Sequence, residues 1–242
     1  MHQPLIIAHR GASASAPENT MASIYAAVKA KVDYIEVDIR LSKEGIPVLC
    51  HDSHVEKIVK NGVRTPIAAL TLDAIKQFDA GSWFDEKYRG ERIPTLEEAL
   101  NVDTQGIGWM LEIKKSVQPA AVIVKAVMDV LHKCSKCSRS LGPIVIGSFA
   151  LDILAELKNQ AGGLPIIGIM EKKGSLPIFC RMGLPYVAIW EEIITKEMVE
   201  FLKGNGIHVW SFTVDEPRRQ EELVLLGVEG LITNAPEKAI KR

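Results

Sequence analysis

The chain has 242 residues, 47% of them hydrophobic and 24% charged, with a formal net charge of -1. That length suits one large α/β domain. The charge balance excludes a broad nucleic-acid or anionic-membrane surface, which needs a basic excess, and no apolar run reaches the roughly 18–20 residues of a membrane span.

The N-terminal MHQPLIIAHRG lacks the basic start and long apolar core of a signal peptide, so the cytoplasm is the expected compartment. The first predicted strand is LIIAH (5–9), which runs directly into Arg10 and Gly11. A helix is predicted over 19–31, with Met21, Ile24, Tyr25 and Val28 at helical spacing and Asn19 or Thr20 as its cap. Glu18 is placed to reach Arg10. The second strand, YIEVD (34–38), is followed at once by a strand-like run, IPVLCH (46–51). The link between them is too short for a parallel crossover. It must be a tight hairpin turning at Glu44-Gly45, which sets Asp38 opposite His51 and makes the returning segment an arm above the sheet.

About forty residues (53–94) then precede the next helix, long for a loop. They are expected to form a cap-like insertion over the mouth of the fold, with Trp83, Phe84 and Tyr88 as packing or substrate-facing groups. Thr95 and Glu98 form a capping box for a helix over 95–102. Strands follow at WMLEIK (109–114), IVIGSF (144–149), PIIGIM (165–170), YVAIW (186–190), VWSFTV (209–214) and GLITN (230–234). Helices are predicted at Val117–Leu131, Leu151–Lys158, Lys196–Lys203 and Pro217–Leu226. The alternation is that of βα units around a parallel sheet. Eight such units in one chain predict a single (β/α)8 barrel domain spanning 1–242, of TIM type, with a small insertion after the second strand. Cys134 and Cys137 form a CxxC, but no second ligand pair exists for a structural zinc, so they are read as incidental thiols.

In such barrels chemistry gathers at the C-terminal ends of the strands. His9, Arg10, Glu36, Asp38, His51, Asp52, Glu112, Lys114, Ser148, Trp210, Ser211 and Asn234 all fall there or on the arm. Glu36 and Asp38 share one strand face, as do Glu112 and Lys114. Three carboxylates in one mouth need positive charge between them. An all-oxygen set suits a hard divalent cation, Mg2+ or Ca2+; the other reading is a salt-bridge network with Arg10 and Lys114. His9 and His51 flank this cluster with a pKa suited to acid or base work. His2, His54, His132 and His208 lack such company and are read as surface or packing residues. Metal, two cations and two histidines together suit hydrolysis of an anionic phosphoester.

HRG (9–11), PENT (17–20), EVD (36–38), HD (51–52), DAGSWFDEKYRGERIPTLEEAL (79–100), LEIK (111–114), VWSFTV and GVEGLITNAP together resemble the glycerophosphodiester phosphodiesterases, most closely the short, bacterial, cytoplasmic type. The resemblance spans nearly the whole chain. It implies a TIM-type barrel with an insertion after the HD motif and hydrolysis of a small-molecule glycerophosphodiester to sn-glycerol 3-phosphate and an alcohol. It further implies His9 and His51 as acid and base, Glu36, Asp38 and Glu112 as ligands of a divalent cation, Arg10 and Lys114 on the phosphate, and Trp210 on the glycerol or head-group side. The sequence departs from the family at Asn234, where an aspartate is more usual, and it follows the pattern loosely over DSHVEKIVKNGVRT (52–65), keeping Asn61-Gly62. A phospholipase of the related barrel type and a non-catalytic phosphate-binding barrel are the alternative readings.

Overall fold

A computed structural model describes residues 3–57, 64–137 and 141–240, the side chains of Lys57, Lys136 and Cys137 excepted. His2 and Asn61-Gly62 lie outside the described residues. Nine strands are present among them: β1 (Leu5–Ala8), β2 (Tyr34–Leu41), β3 (Pro47–Leu49), β4 (Gly108–Ile113), β5 (Ile144–Ser148), β6 (Ile166–Met170), β7 (Tyr186–Trp190), β8 (His208–Phe212) and β9 (Gly230–Thr233). Eight of them pair in parallel in the order β1-β9-β8-β7-β6-β5-β4-β2, and β1 pairs with β2 to close the ring. The fold is therefore the (β/α)8 barrel expected, with β3 as one extra strand antiparallel to β2.

The helices are α1 (Met21–Ala30), α2 (Leu72–Ile75), α3 (Leu96–Leu100), α4 (Ala120–Cys137), α5 (Leu151–Gln160), α6 (Leu176–Met182), α7 (Lys196–Gly204) and α8 (Pro217–Leu226). Thr20, not Asn19, caps α1, accepting from Ser23 N. The Thr95–Glu98 capping box opens α3 as predicted. α6 was not predicted: it has seven residues, carries Pro177 in its first turn and is capped by Gly183, which adopts φ +64°. After β9 the chain makes only a short 3-10 turn at Pro236–Lys238. Among the described residues no helix is long and apolar enough to cross a membrane.

Strand alternation divides the apolar residues into two sets. Ile35, Val37, Ile39, Trp109, Leu111, Val187 and Val209 face outward and pack beneath the helices. Ile7, Met110, Val145, Ile167, Ala188, Trp210 and Ile232 point inward and fill the barrel, with Tyr34 and Tyr186 at its floor. Gly230 is required here, because a Cβ on it would come 2.6 Å from the Trp210 ring.

The hairpin differs from expectation by one residue. Ser42 N bonds Ile46 O across a three-residue loop, Lys43 to Gly45, with Gly45 at φ +82°. The two-residue turn assumed from sequence shifts the count. The register pairs Ile39 with Leu49, and Cys50 N bonds Asp38 O, so Cys50, not His51, lies opposite Asp38. A one-residue slip of this kind exchanges the faces of a strand.

The insertion builds a core of its own. Val48 and Cys50 from the arm pack with Val55, Ile67, Ile75, Ala80 and Ile93. Trp83 donates to Ala80 O and lies edge-on to Phe84, which in turn packs against Tyr88. Tyr88 Oη donates to Ser15 O. These aromatics are packing groups that tie the insertion to the β1–α1 loop.

Candidate active site

A cavity of about 570 Å³ opens at the C-terminal ends of the strands, lined by His9, Arg10, Glu36, His51, Glu112 and Lys114 among others. Asp38 lies just beneath, in contact with both cations. Arg10 Nε is 3.2 Å from its Oδ2 and Lys114 Nζ 2.9 Å from its Oδ1. Six of the eight residues singled out from sequence therefore line one cavity, and Asp38 supports its floor.

Trp210 does not. It is buried among the barrel-filling residues, its ring 5.3 Å from Tyr34 and 5.5 Å from Tyr186. The strand period explains the correction. Trp210 points inward one layer too deep, and Phe212, two residues on, reaches the cavity instead. None of the described residues of the insertion lines the cavity either. Ser148 and Ser211, also at strand ends, spend their hydroxyls on Ile113 O and Ile189 O of neighbouring strands.

The turn after β1 is built to aim Arg10. Its backbone adopts φ +56°, a left-handed conformation costly for a side chain with a Cβ. Three bonds hold it there: Arg10 N to Glu36 Oε2 at 2.7 Å, Gly11 N to Glu36 O at 3.1 Å, and Asn19 N to Arg10 O at 3.0 Å. The guanidinium then meets Asp38 on one side and Glu18 on the other, Nη1 at 3.0 Å from both Glu18 oxygens. Gly11, at φ +76°, passes so close to α1 that a Cβ would sit 2.5 Å from Ser23 Oγ and 2.6 Å from its carbonyl carbon. Gly11→Ala is expected to destabilise the fold by about 2–4 kcal/mol, read as a drop in the thermal midpoint; an unchanged midpoint would show that the turn yields.

Glu36, Asp38 and Glu112 are buried and offer oxygens that all lie within 4.8 Å of one another. Among the described residues Glu36 Oε1 has no hydrogen-bond partner. Asp38 Oδ1 and Glu112 Oε1 have the Lys114 ammonium as ion-pair partner. Asn19 brackets Asp38, donating from Nδ2 to Oδ2 at 2.8 Å and accepting from Asp38 N at 3.1 Å. Together with Glu18, four carboxylates face two permanent cations, so the salt-bridge network alone leaves a deficit of positive charge. Uncompensated buried charge costs several kcal/mol per group, and the titration of the cluster reflects it. Burial, reinforced by Asp38 and Glu112, holds Glu36 well above the usual carboxylate range. Burial likewise pushes Glu112 up to about 7, against the pull of Lys114. Burial opposes ionisation of Asp38 too, but Lys114 and Arg10 together hold it below the usual range. Glu36 and Glu112 are thus biased toward their protonated forms while Asp38 stays ionised between the two cations. An all-oxygen, buried, charge-deficient set is what a hard divalent cation fits.

The histidines have different partners. Asp215, just beyond β8, accepts from Thr233 Oγ1, Asn234 N and Asn234 Nδ2 at 2.7–2.8 Å. With its amide nitrogen so committed, Asn234 turns Oδ1 to His9 Nδ1, 2.7 Å away. Nδ1 must then carry the proton, which leaves the Nε2 lone pair of His9 in the cavity, 4.0 Å from Glu36 Oε2. Burial, with the adjacent charge of Arg10, drives His9 down to about 4, so it is neutral at neutral pH. His51 Nδ1 lies 3.0 Å from Asp52 Oδ1, and its carbonyl is gripped by Arg40 Nε and Nη2 at 3.0 and 2.7 Å. Burial lowers His51 as well, but Asp38 and Asp52 pull the other way. Away from the cavity, His208 stacks on Tyr186 and contacts Glu229.

Sequence reasoning missed Asn19, Asp215, Phe149, Glu171, Trp190 and Phe212. The last four line the cavity. All four stand at or one residue past the ends of β5 to β8, a position that could have been read from the strand assignments. The role of Asp215 had no local signal.

The sequence profile of the Glycerophosphoryl diester phosphodiesterase family matches residues 9–238. The chain belongs to this family. A glycerophosphodiester phosphodiesterase of Caldanaerobacter subterraneus subsp. tengcongensis is 34% identical over 240 residues, spanning 98% of this chain and 96% of that protein. The protein YhdW of Bacillus subtilis is 33% identical over 98% of this chain and 96% of its own. A phosphodiesterase of Oleispira antarctica, solved in complex with the product sn-glycerol-3-phosphate, superposes with a TM-score of 0.90 at 29% identity, over 97% of this chain and 94% of that one. The members are phosphoric diester hydrolases, which makes the chain an enzyme of that class.

Proposed function

We propose that this enzyme hydrolyses glycerophosphodiesters to sn-glycerol 3-phosphate and an alcohol, with Mg2+ or Ca2+ held by Glu36, Asp38 and Glu112. The observation that carries the reading is the meeting of two histidines, two cations and a charge-deficient carboxylate triad in one cavity. The bound product of the Oleispira relative agrees with it.

A bound divalent cation supplies charge stabilisation at the nonbridging phosphate oxygens. Arg10 and Lys114 add fixed positive charge there, Arg10 through a planar donor fork that matches phosphate. His9 acts as base: its Nε2 takes the proton of the glycerol hydroxyl next to the ester, whose oxygen attacks phosphorus. His51, kept more basic by Asp52, gives its proton to the departing alcohol. The product of this step is a cyclic glycerol phosphate. Water then opens the ring, with His51 as base and His9 returning its proton to the glycerol oxygen. A nucleophile already inside the substrate avoids the entropy of capturing a separate one.

Purified protein should release sn-glycerol 3-phosphate from glycerophosphocholine or glycerophosphoethanolamine when supplied with Mg2+ or Ca2+, and EDTA should abolish the release. Turnover confined to micellar lysolipid would mark a phospholipase instead, and binding without turnover a non-catalytic barrel.

A further inference from the structure

The mouth of the barrel has two unlike halves. The charged groups of the proposed chemistry sit on β1, β2, β4 and the arm. The ends of β5 to β8 carry Phe149, Glu171, Trp190 and Phe212, all lining the same cavity. Phe149 and Phe212 meet edge to face at 5.7 Å. Phe149 and Trp190 are each 36% exposed. Glu171 is solvent-exposed, and among the described residues it has no hydrogen bond or ion pair. None of these four groups has a part in the chemistry described above. The Phe149 ring already has the Lys114 ammonium over it, 5.6 Å from its centroid, so Trp190 offers the exposed face, and a free carboxylate beside such a face is the arrangement that binds an organic ammonium ion, through charge and through the negative face of the ring.

The position in the ring says which arm of the substrate reaches it. Going round the barrel, β6 is the fourth strand from β1 in either direction, so Glu171 stands across the mouth from His9. The hydroxyl that His9 deprotonates belongs to glycerol, which places glycerol at β1. In an in-line displacement the leaving alcohol departs on the side of phosphorus opposite the nucleophile, toward β6 and β7. We infer that Glu171 and Trp190 form a subsite for the leaving group that selects alcohols bearing an ammonium charge, choline or ethanolamine, over neutral polyols such as glycerol or inositol. The inference rests on the proposed glycerophosphodiesterase activity and names its preferred substrate class.

The test is kcat/KM of the full-length protein, cation-supplemented, on glycerophosphocholine and on glycerophosphoglycerol. Wild type should favour the choline ester by about tenfold, and Glu171→Gln and Trp190→Leu should each reduce that ratio toward one. Choline should compete with substrate more strongly than its neutral isostere 3,3-dimethylbutanol, and Glu171→Gln should remove the difference. Equal wild-type use of both esters, or a ratio untouched by Glu171→Gln, overturns the subsite while leaving the phosphodiesterase reading intact. Failure of wild type to cleave either ester overturns both.

Discussion

His9→Ala and His51→Ala are each expected to lower kcat on glycerophosphocholine by about 10²–10⁴-fold, the usual worth of a positioned acid or base. The double variant should be little worse than either single one, because the two act on the same proton path. Their partners predict a finer split. His9, donating through Nδ1 to Asn234, presents a lone pair and is the proposed base; His51, beside Asp52, is the proposed acid. A leaving group that needs no proton should therefore spare one variant and not the other. With the p-nitrophenyl ester of glycerol phosphate, p-nitrophenol release within a single turnover should recover in His51→Ala, which then lacks only the base for ring opening, and should not recover in His9→Ala. Equal losses on both esters would reverse or dissolve the assignment.

Chelation is expected to cost at least about a hundredfold in rate, since a Lewis-acidic ion at a phosphoryl centre is worth several kcal/mol. The proton count of binding gives a test independent of turnover. Glu112 stands at about 7 and Glu36 well above its usual range without the cation. Below pH 7 Glu112 is therefore largely protonated and Glu36 is biased the same way, so a cation must displace protons to bind. Titration calorimetry with Mg2+ or Ca2+ at pH 6, in buffers of differing ionisation heat, should show about one to two protons released, and affinity should rise with pH until both groups are ionised. Glu112→Gln should weaken binding and reduce the proton count. Affinity independent of pH, with no protons released, would remove the triad as the cation site.

Most of the barrel could be read from the chain because its signals are local. Each of the eight barrel strands is a short apolar run, and Thr95–Glu98 announces its helix within four residues. The charged half of the site was legible for the same reason: HRG and LEIK stand at the ends of β1 and β4, EVD lies within β2, and HD follows β3 by one residue. What was not legible depends on distance or on a single residue of register. Asn234 was visible as a departure, but the carboxylate that orients it, Asp215, is 19 positions away and reaches it only because β8 and β9 are neighbours. Asn19 looked like a helix cap and instead holds Asp38. The three-residue loop moved Cys50 into the place expected for His51. Trp210 failed for want of depth: alternation tells which side chains enter a barrel, not how far down they lie.

That depth has its own consequence. Trp210, Tyr34 and Tyr186 stop the barrel from below like a cork. Traffic through the site is then one-way in and the same way out. In the proposed reaction the freed alcohol must clear the entrance before water can follow it in, so the expected order of departure is head group first, glycerol phosphate last.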